Sequence, residues 1–268
     1  MTSSRLNCAH LTQLANQLSE RCTTPLPHLA RVRLLTGAHL DRLLAHPDTT
    51  PETTARDRRR IMTRLHNLGL VTTLQRRIGG VRAGSAGHIY TLTPTGHRVL
   101  AALHNQPCPP HIKKPTTPGT LFLAHTLAIS DIYVRLIEAS RHHKVTLSSF
   151  VTEPRCWQST GHGDYLKPDS YCVLSTTTHQ DCWWLEIDQA TESLPRIRTK
   201  SRAYLDYLTH GGIGPDNVPP RILYTAPDTP RTNAIKQLIT TLTTESELIS
   251  VTTHADVPKF LIAELVAS

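Results

Sequence analysis

The segment Thr54-Ala-Arg-Asp-Arg-Arg-Arg-Ile-Met-Thr-Arg-Leu-His-Asn-Leu-Gly69 constrains the fold more than any other stretch of the chain. Ile61, Leu65 and Leu68 recur at i, i+4 and i+7, the spacing of a helix that packs one side on a core. Arg56, Arg59, Arg60, Thr63 and Asn67 fall on the opposite side, with Arg58 and Arg64 at the flanks. A helix built this way is anchored by its apolar side and presents a strip of guanidinium groups on the other. Reading a major groove requires that arrangement.

Charge distribution supports the same direction. The whole chain carries a net charge of +8. Residues 1–105 hold 14 arginines and no lysine against the five acids Glu20, Asp41, Asp48, Glu52 and Asp57. The excess positive charge therefore lies entirely in the first part, as expected for a polyanion-binding module joined to a near-neutral domain. An arginine-rich composition alone would not concentrate the excess at one end.

At 268 residues the chain suits two domains. Residues 105–119, rich in proline and without periodicity, read as a linker between a domain at 1–104 and another at 120–268. No run of 18 apolar residues occurs and the N-terminus lacks an apolar signal core, so neither secretion nor membrane spanning is expected. Six single cysteines without a CxxC pair point to free or buried thiols in a reduced, cytoplasmic setting.

Elements can be placed from periodicity and punctuation. A helix is expected in the later half of 18–35, with Pro25 and Pro27 near its start. Thr36 is a suitable N-cap for a helix to about Ala45. The arginine helix follows a polar turn containing Pro47 and Pro51, and Gly69 ends it. Strands at 71–77 and 88–93 flank a glycine-rich loop, and Pro94 opens a short helix. The order helix, helix, recognition helix, hairpin, helix is that of a winged helix-turn-helix. Arg76, Arg77 and Arg82 on the hairpin would reach phosphates or a neighbouring minor groove. Beyond the linker, helices alternate with strands at 145–151, 171–175, 182–187 and 221–224, which predicts an α/β domain around a mixed sheet.

Three acids stand beside these strands: Asp169, Glu186 and Asp188. Glu186 and Asp188 are two apart and share a strand face. Oxygen ligands converging at the end of a sheet are how a hard Mg²⁺ ion is held for phosphodiester hydrolysis. The alternative is that the carboxylates pair with Arg196, Arg198 or Lys200 as buried ion pairs. Trp157, Trp183 and Trp184 read as core or interface residues rather than base-stacking platforms.

Pro168-Asp169 followed by Glu186-Ile-Asp188 resembles the PD-(D/E)xK nuclease core, the restriction-endonuclease-like fold. The pattern's lysine position holds Asp188 here, and Lys200 on the following helix is the candidate replacement. That resemblance implies Asp169, Glu186 and Asp188 as metal ligands and Lys200 as the catalytic lysine. Across residues 18–225 the chain also resembles the replication-relaxation family of plasmids and integrative elements. The residues carrying this are Leu34-Leu-Thr36, Leu40, Leu43-Leu44, Arg58-Arg-Arg60, Leu65, Leu68-Gly-Leu70, Tyr90-Thr-Leu-Thr-Pro-Thr-Gly96, His125-Thr-Leu-Ala128, Asp131, Pro168-Asp169, Leu185-Glu-Ile-Asp-Gln-Ala-Thr-Glu-Ser193 and Lys200-Ser-Arg-Ala-Tyr204. The resemblance implies a protein that binds double-stranded DNA in plasmid replication or conjugative mobilisation. Its partners would be a relaxase, a replication initiator or a second copy of itself. A Mg²⁺-dependent nuclease or nickase is the alternative expectation, and a non-catalytic adaptor or transcriptional regulator a further one.

Overall fold

The computed structural model describes residues 8–77, 87–107, 112–116, 118–161, 163–242 and 248–267. The chain divides into two compact units, Met1–Ser130 and Asp131–Ser268. The described elements of the first unit are α1 (Cys8–Asn16), α2 (Glu20–Thr23), α3 (Pro25–Val32), β1 (Leu35–Thr36), α4 (Gly37–Leu44), α5 (Pro51–Asn67), β2 (Val71–Arg77), β3 (His88–Leu92) and α6 (Pro94–Leu103). Its three strands form an antiparallel sheet in the order β1-β3-β2.

Local chemistry accounts for these boundaries. Pro25 and Pro27 open α3 rather than interrupt it, because a first-turn proline removes an N–H that has no intrahelical partner. The Thr36 hydroxyl accepts from His39 N at 3.0 Å, and His39 Nδ1 accepts from Thr36 N, so α4 is capped from both directions. Thr50 caps α5, whose first residue is Pro51. The helix therefore begins three residues before Thr54.

At the other end of α5, Gly69 adopts φ +68 while Leu70 N donates to Leu65 O and Gly69 N to His66 O. This paired closure consumes two orphan carbonyls and turns the chain directly into β2. Leu65 and Leu70 are both fully buried. A second glycine is required by contact rather than torsion: a Cβ on Gly96 would lie 2.0 Å from Leu70 O, so α6 crosses the start of β2 only because position 96 has no side chain.

The division between units falls within α7 (Thr120–His142). By length and composition α7 could cross a membrane, but Leu123, Leu127, Ile129, Ile132, Tyr133, Val134 and Leu136 are core residues of the protein. Burial of that apolar set is the behaviour of a core helix.

The second unit continues with β4 (Thr146–Thr152), β5 (Gln158–Ser159), β6 (Tyr165–Leu166), β7 (Ser170–Ser175), β8 (Gln180–Ile187), α8 (Leu194–Thr209), β9 (Arg221–Ala226), α9 (Thr229–Thr240), β10 (Ile249–Thr253) and α10 (Val257–Ala267). Five strands form a mixed sheet in the order β10-β9-β8-β7-β4. β8, β9 and β10 are parallel, whereas β7 is antiparallel to both β8 and β4. The class is α/β, as the alternation of elements predicted.

β8 is central, which explains its unbroken apolar run: both faces are covered. On one face Trp184 packs with Tyr204 of α8 and shares a core with Ile197, Ile235 and Leu238 of α8 and α9. On the other, Trp183 meets Phe260 of α10 edge-on at 5.9 Å. Both tryptophans are fully buried, so they are core residues. The described cysteines Cys22, Cys156, Cys172 and Cys182 are free and buried, and burial pushes the Cys156 thiol up to about 12.

Candidate functional site

α5 buries Thr54, Arg58, Ile61, Met62 and Leu65. Their spacing follows one helical stripe, so the opposite side faces solvent. Arg56, Arg59, Arg60, Thr63, Arg64 and Asn67 are all exposed there. No described acid ion-pairs with Arg56, Arg59 or Arg60. Arg64 is partly committed, because its Nη2 donates to the carbonyl of Gln17 at 3.1 Å. Four guanidinium groups thus stand along a little over two turns of one helix, three of them without an ion-pair partner among the described residues.

Arg58 differs from the other candidates. Expected at the flank of the strip, it is instead 1% exposed, and its Nε donates to Asp41 Oδ1 at 2.7 Å. It joins α5 to α4 and lies against Tyr90, whose hydroxyl burial raises in pKa despite the neighbouring guanidinium. Periodicity could not separate this arginine from its neighbours, since Asp41 is 17 residues away in sequence. Arg82 lies outside the described residues, as do the side chains of Arg76 and Arg77; the backbone of the latter two belongs to β2.

In the second unit the carboxylates are arranged around the end of β8. Asp169 precedes β7, and its Oδ2 accepts from Ile187 N at 2.6 Å. Glu186 is 4% exposed, and its two oxygens accept from Lys200 Nζ and from the Tyr204 hydroxyl. Both donors come from one side of α8, where positions 200 and 204 are one turn apart. Asp188 receives a two-pronged bond from Arg231 of α9, through Nε at 2.6 Å and Nη2 at 3.1 Å. The same Nη2 also donates to Glu192 O.

Electrostatics follow from that burial. Desolvation pushes the Glu186 carboxyl up to about 8, against the pull of Lys200 and the hydrogen bond from Tyr204. Burial disfavours the Lys200 ammonium, but the neighbouring Glu186 and Asp169 carboxylates outweigh it and hold its pKa above the ordinary value. Tyr204 and Tyr224 are raised by burial and remain protonated; Tyr204 donates to Glu186, and Tyr224 accepts from Ser201 Oγ at 3.0 Å. Burial lowers His254, whose neutral ring bridges Thr225 and Gln189 at 2.7 and 2.9 Å.

The structure therefore gathers Glu186 and Lys200, with Asp169 near enough to act on the charge of both, and fastens Asp188 separately to Arg231. Among the described residues, no group of three His, Cys, Asp or Glu side chains is placed to hold a metal ion. Chemically the cluster behaves as a set of internal ties: Glu186 joins β8 to α8, and Asp188 joins β8 to α9. Sequence inspection named Arg196 as a pairing partner, yet its contact is with Glu192 at 3.2 Å. Tyr204 and Arg231 were missed. Tyr204 stood four residues after Lys200, which was a usable signal; Arg231 carried none, being 43 residues from its partner.

No curated protein and no solved structure matches the chain. Residues 26–222, well over half of its length, match the family model described as replication-relaxation. That span includes α5, the antiparallel sheet of the first unit, and the Asp169, Glu186, Asp188 and Lys200 positions. The chain belongs to the replication-relaxation family.

Proposed function

We propose that the chain is a duplex-DNA-binding protein of a plasmid or integrative element, acting in its replication or mobilisation. The single observation behind this reading is the exposed row Arg56, Arg59 and Arg60 on α5, ion-paired to no described acid. An unpaired row of this kind repels itself and gains by meeting phosphates or guanine edges. The first unit would act as a winged helix-turn-helix, with α5 in the major groove, Arg59 and Arg60 toward bases, and the β2–β3 hairpin on the backbone. Thr63, Arg64 and Asn67 extend the same surface.

For the second unit, a nuclease-like core whose carboxylates serve structure fits better than a working Mg²⁺ site. Glu186 and Asp188 already have their oxygens filled by Lys200, Tyr204 and Arg231, which leaves little room for a hard cation without breaking buried ion pairs. A platform for a relaxase, a replication initiator or a second copy is the role this leaves. The test is a duplex bearing the element's origin, incubated with the protein in Mg²⁺ and in chelator. Retention of intact DNA in both conditions is expected. Mg²⁺-dependent nicking abolished by Glu186→Gln would refute the structural role of the cluster, and failure to retain the duplex would refute DNA binding.

A further inference from the structure

The small β5–β6 hairpin has two chemically different faces. Gln158 pairs with Leu166 and Ser159 with Tyr165. Continuing that register by one pair sets Trp157 opposite Lys167, and the Lys167 ammonium indeed stands 5.1 Å from the Trp157 ring centre. Alternation then puts Trp157, Ser159, Tyr165 and Lys167 on one side. Leu166 and the neighbouring Cys156 point the other way and are buried in the core that also holds Ile197 and Tyr204 of α8. Gly161 and Gly163, at φ +84 and +88, allow the tight reversal between the strands.

The outer side is exposed where aromatic residues are normally covered. Trp157 is 37% and Tyr165 54% exposed, in contrast to the fully buried Trp183 and Trp184. The register makes the two residues diagonal neighbours across the hairpin, a relation that sets Cα atoms roughly 7–8 Å apart and within reach of aromatic side chains. A cation already rests on one of them. Arg155 is exposed just before the hairpin and is ion-paired to no described residue.

We propose that this face of the second unit binds single-stranded DNA, stacking successive bases on Trp157 and Tyr165 while Lys167 and Arg155 track the backbone. Aromatic platforms flanked by cations are the general means of holding unpaired bases, because every base has a π-face. Duplex DNA hides those faces, so the occupant is the unpaired strand. The surface belongs to the second unit and does not depend on α5 binding DNA.

The experiment uses the full chain carrying Arg56→Ala, Arg59→Ala and Arg60→Ala, so that the first unit contributes little. Binding of labelled oligo-dT is followed by anisotropy and by tryptophan fluorescence. Since Trp157 is the exposed tryptophan, stacking quenches its emission. The expected result is saturable quenching, and a loss of about tenfold or more in oligo-dT affinity when Trp157→Ala and Tyr165→Ala are added. Arg155→Gln with Lys167→Gln should flatten the salt dependence of the same binding by about 1.4 in slope. In the otherwise unaltered protein, the aromatic substitutions should leave duplex affinity within twofold. Absence of quenching at saturation, unchanged oligo-dT affinity in the aromatic variant, or equal losses on duplex and single strand would each overturn the proposal. Tighter binding of oligo-rU than of oligo-dT would overturn the assignment to DNA. Quenching needs no hairpin substitution, so a misfolded variant does not remove the test.

Discussion

Replacing Arg56, Arg59 and Arg60 together by alanine lowers duplex-DNA affinity by about 100-fold or more and leaves the melting temperature of the protein nearly unchanged. The affinity loss follows from removing up to three guanidinium contacts, where a base-directed arginine contributes about 1–3 kcal/mol. Each lost phosphate contact would also reduce the slope of log affinity against log salt by about 0.9. Stability should hold because all three side chains are exposed and ion-paired to no described residue. Arg58→Met provides the contrast. Arg58 is buried against Asp41, so this variant should lower the melting temperature, and any loss of DNA binding should track unfolding. Anisotropy titrations at several salt concentrations, paired with thermal melts, separate the two behaviours. Equal effects of Arg58→Met and the triple variant on both readouts would contradict the division of α5 into a packed and a presenting side.

Lys200→Met destabilises the protein by an amount that grows with pH, reaching about 3–5 kcal/mol in alkaline solution. The sign follows from Glu186. Its folded pKa is about 8, against an ordinary value of 4.5, so the folded state keeps a proton that the unfolded chain sheds between those values. Stability contributed by that proton is complete below about 4.5 and declines as pH rises toward 8. Above 8 the wild-type carboxylate is ionised and leans on Lys200 and Tyr204. Without the ammonium, the buried group must either hold its proton at growing cost or carry an unmatched charge. Melting temperatures at pH 5 and pH 8.5 for wild type, Lys200→Met and Glu186→Gln test this. Lys200→Met should differ little from wild type at pH 5 and strongly at pH 8.5, and Glu186→Gln should remove the decline. The same loss for Lys200→Met at both pH values would show that its effect is packing, not charge.

Much of this architecture was legible in the sequence where the information was local. Thr36, Gly69 and Pro94 marked helix ends through capping and torsional rules that act within a few residues, and those boundaries stand within a residue or so of the structure. Pro51 was read as part of a turn although it is the first residue of α5; the same residue type suits either role, and Thr50 as the cap was the deciding detail. The strand β10 escaped notice because Ile249–Thr253 is short and polar at alternate positions, and only its parallel pairing with β9 makes it a strand.

The candidate site followed the same rule. That Asp169, Glu186 and Asp188 flank strands was readable, but not that Asp188 is held apart from the other two by Arg231. What neutralises them was readable only for Lys200, on the next helix; Arg231 reaches Asp188 through the tertiary fold alone. Arg58 shows the converse limit. A run of three arginines carries no sign that the first turns inward, because the acid that receives it sits on another helix. Trp157 likewise could not be told from Trp183 and Trp184 until burial separated them.

On the reading proposed above, α5 meets duplex DNA in the major groove with its outward guanidinium row. Guanine N7 methylation protection on a duplex selected by the protein from random sequence tests it most directly, because N7 lies in that groove and is an acceptor for arginine. Guanines protected in a short block are expected under the wild-type protein, with protection lost in Arg59→Ala and Arg60→Ala. Bound duplex whose guanine N7 atoms react as freely as in naked DNA would contradict it.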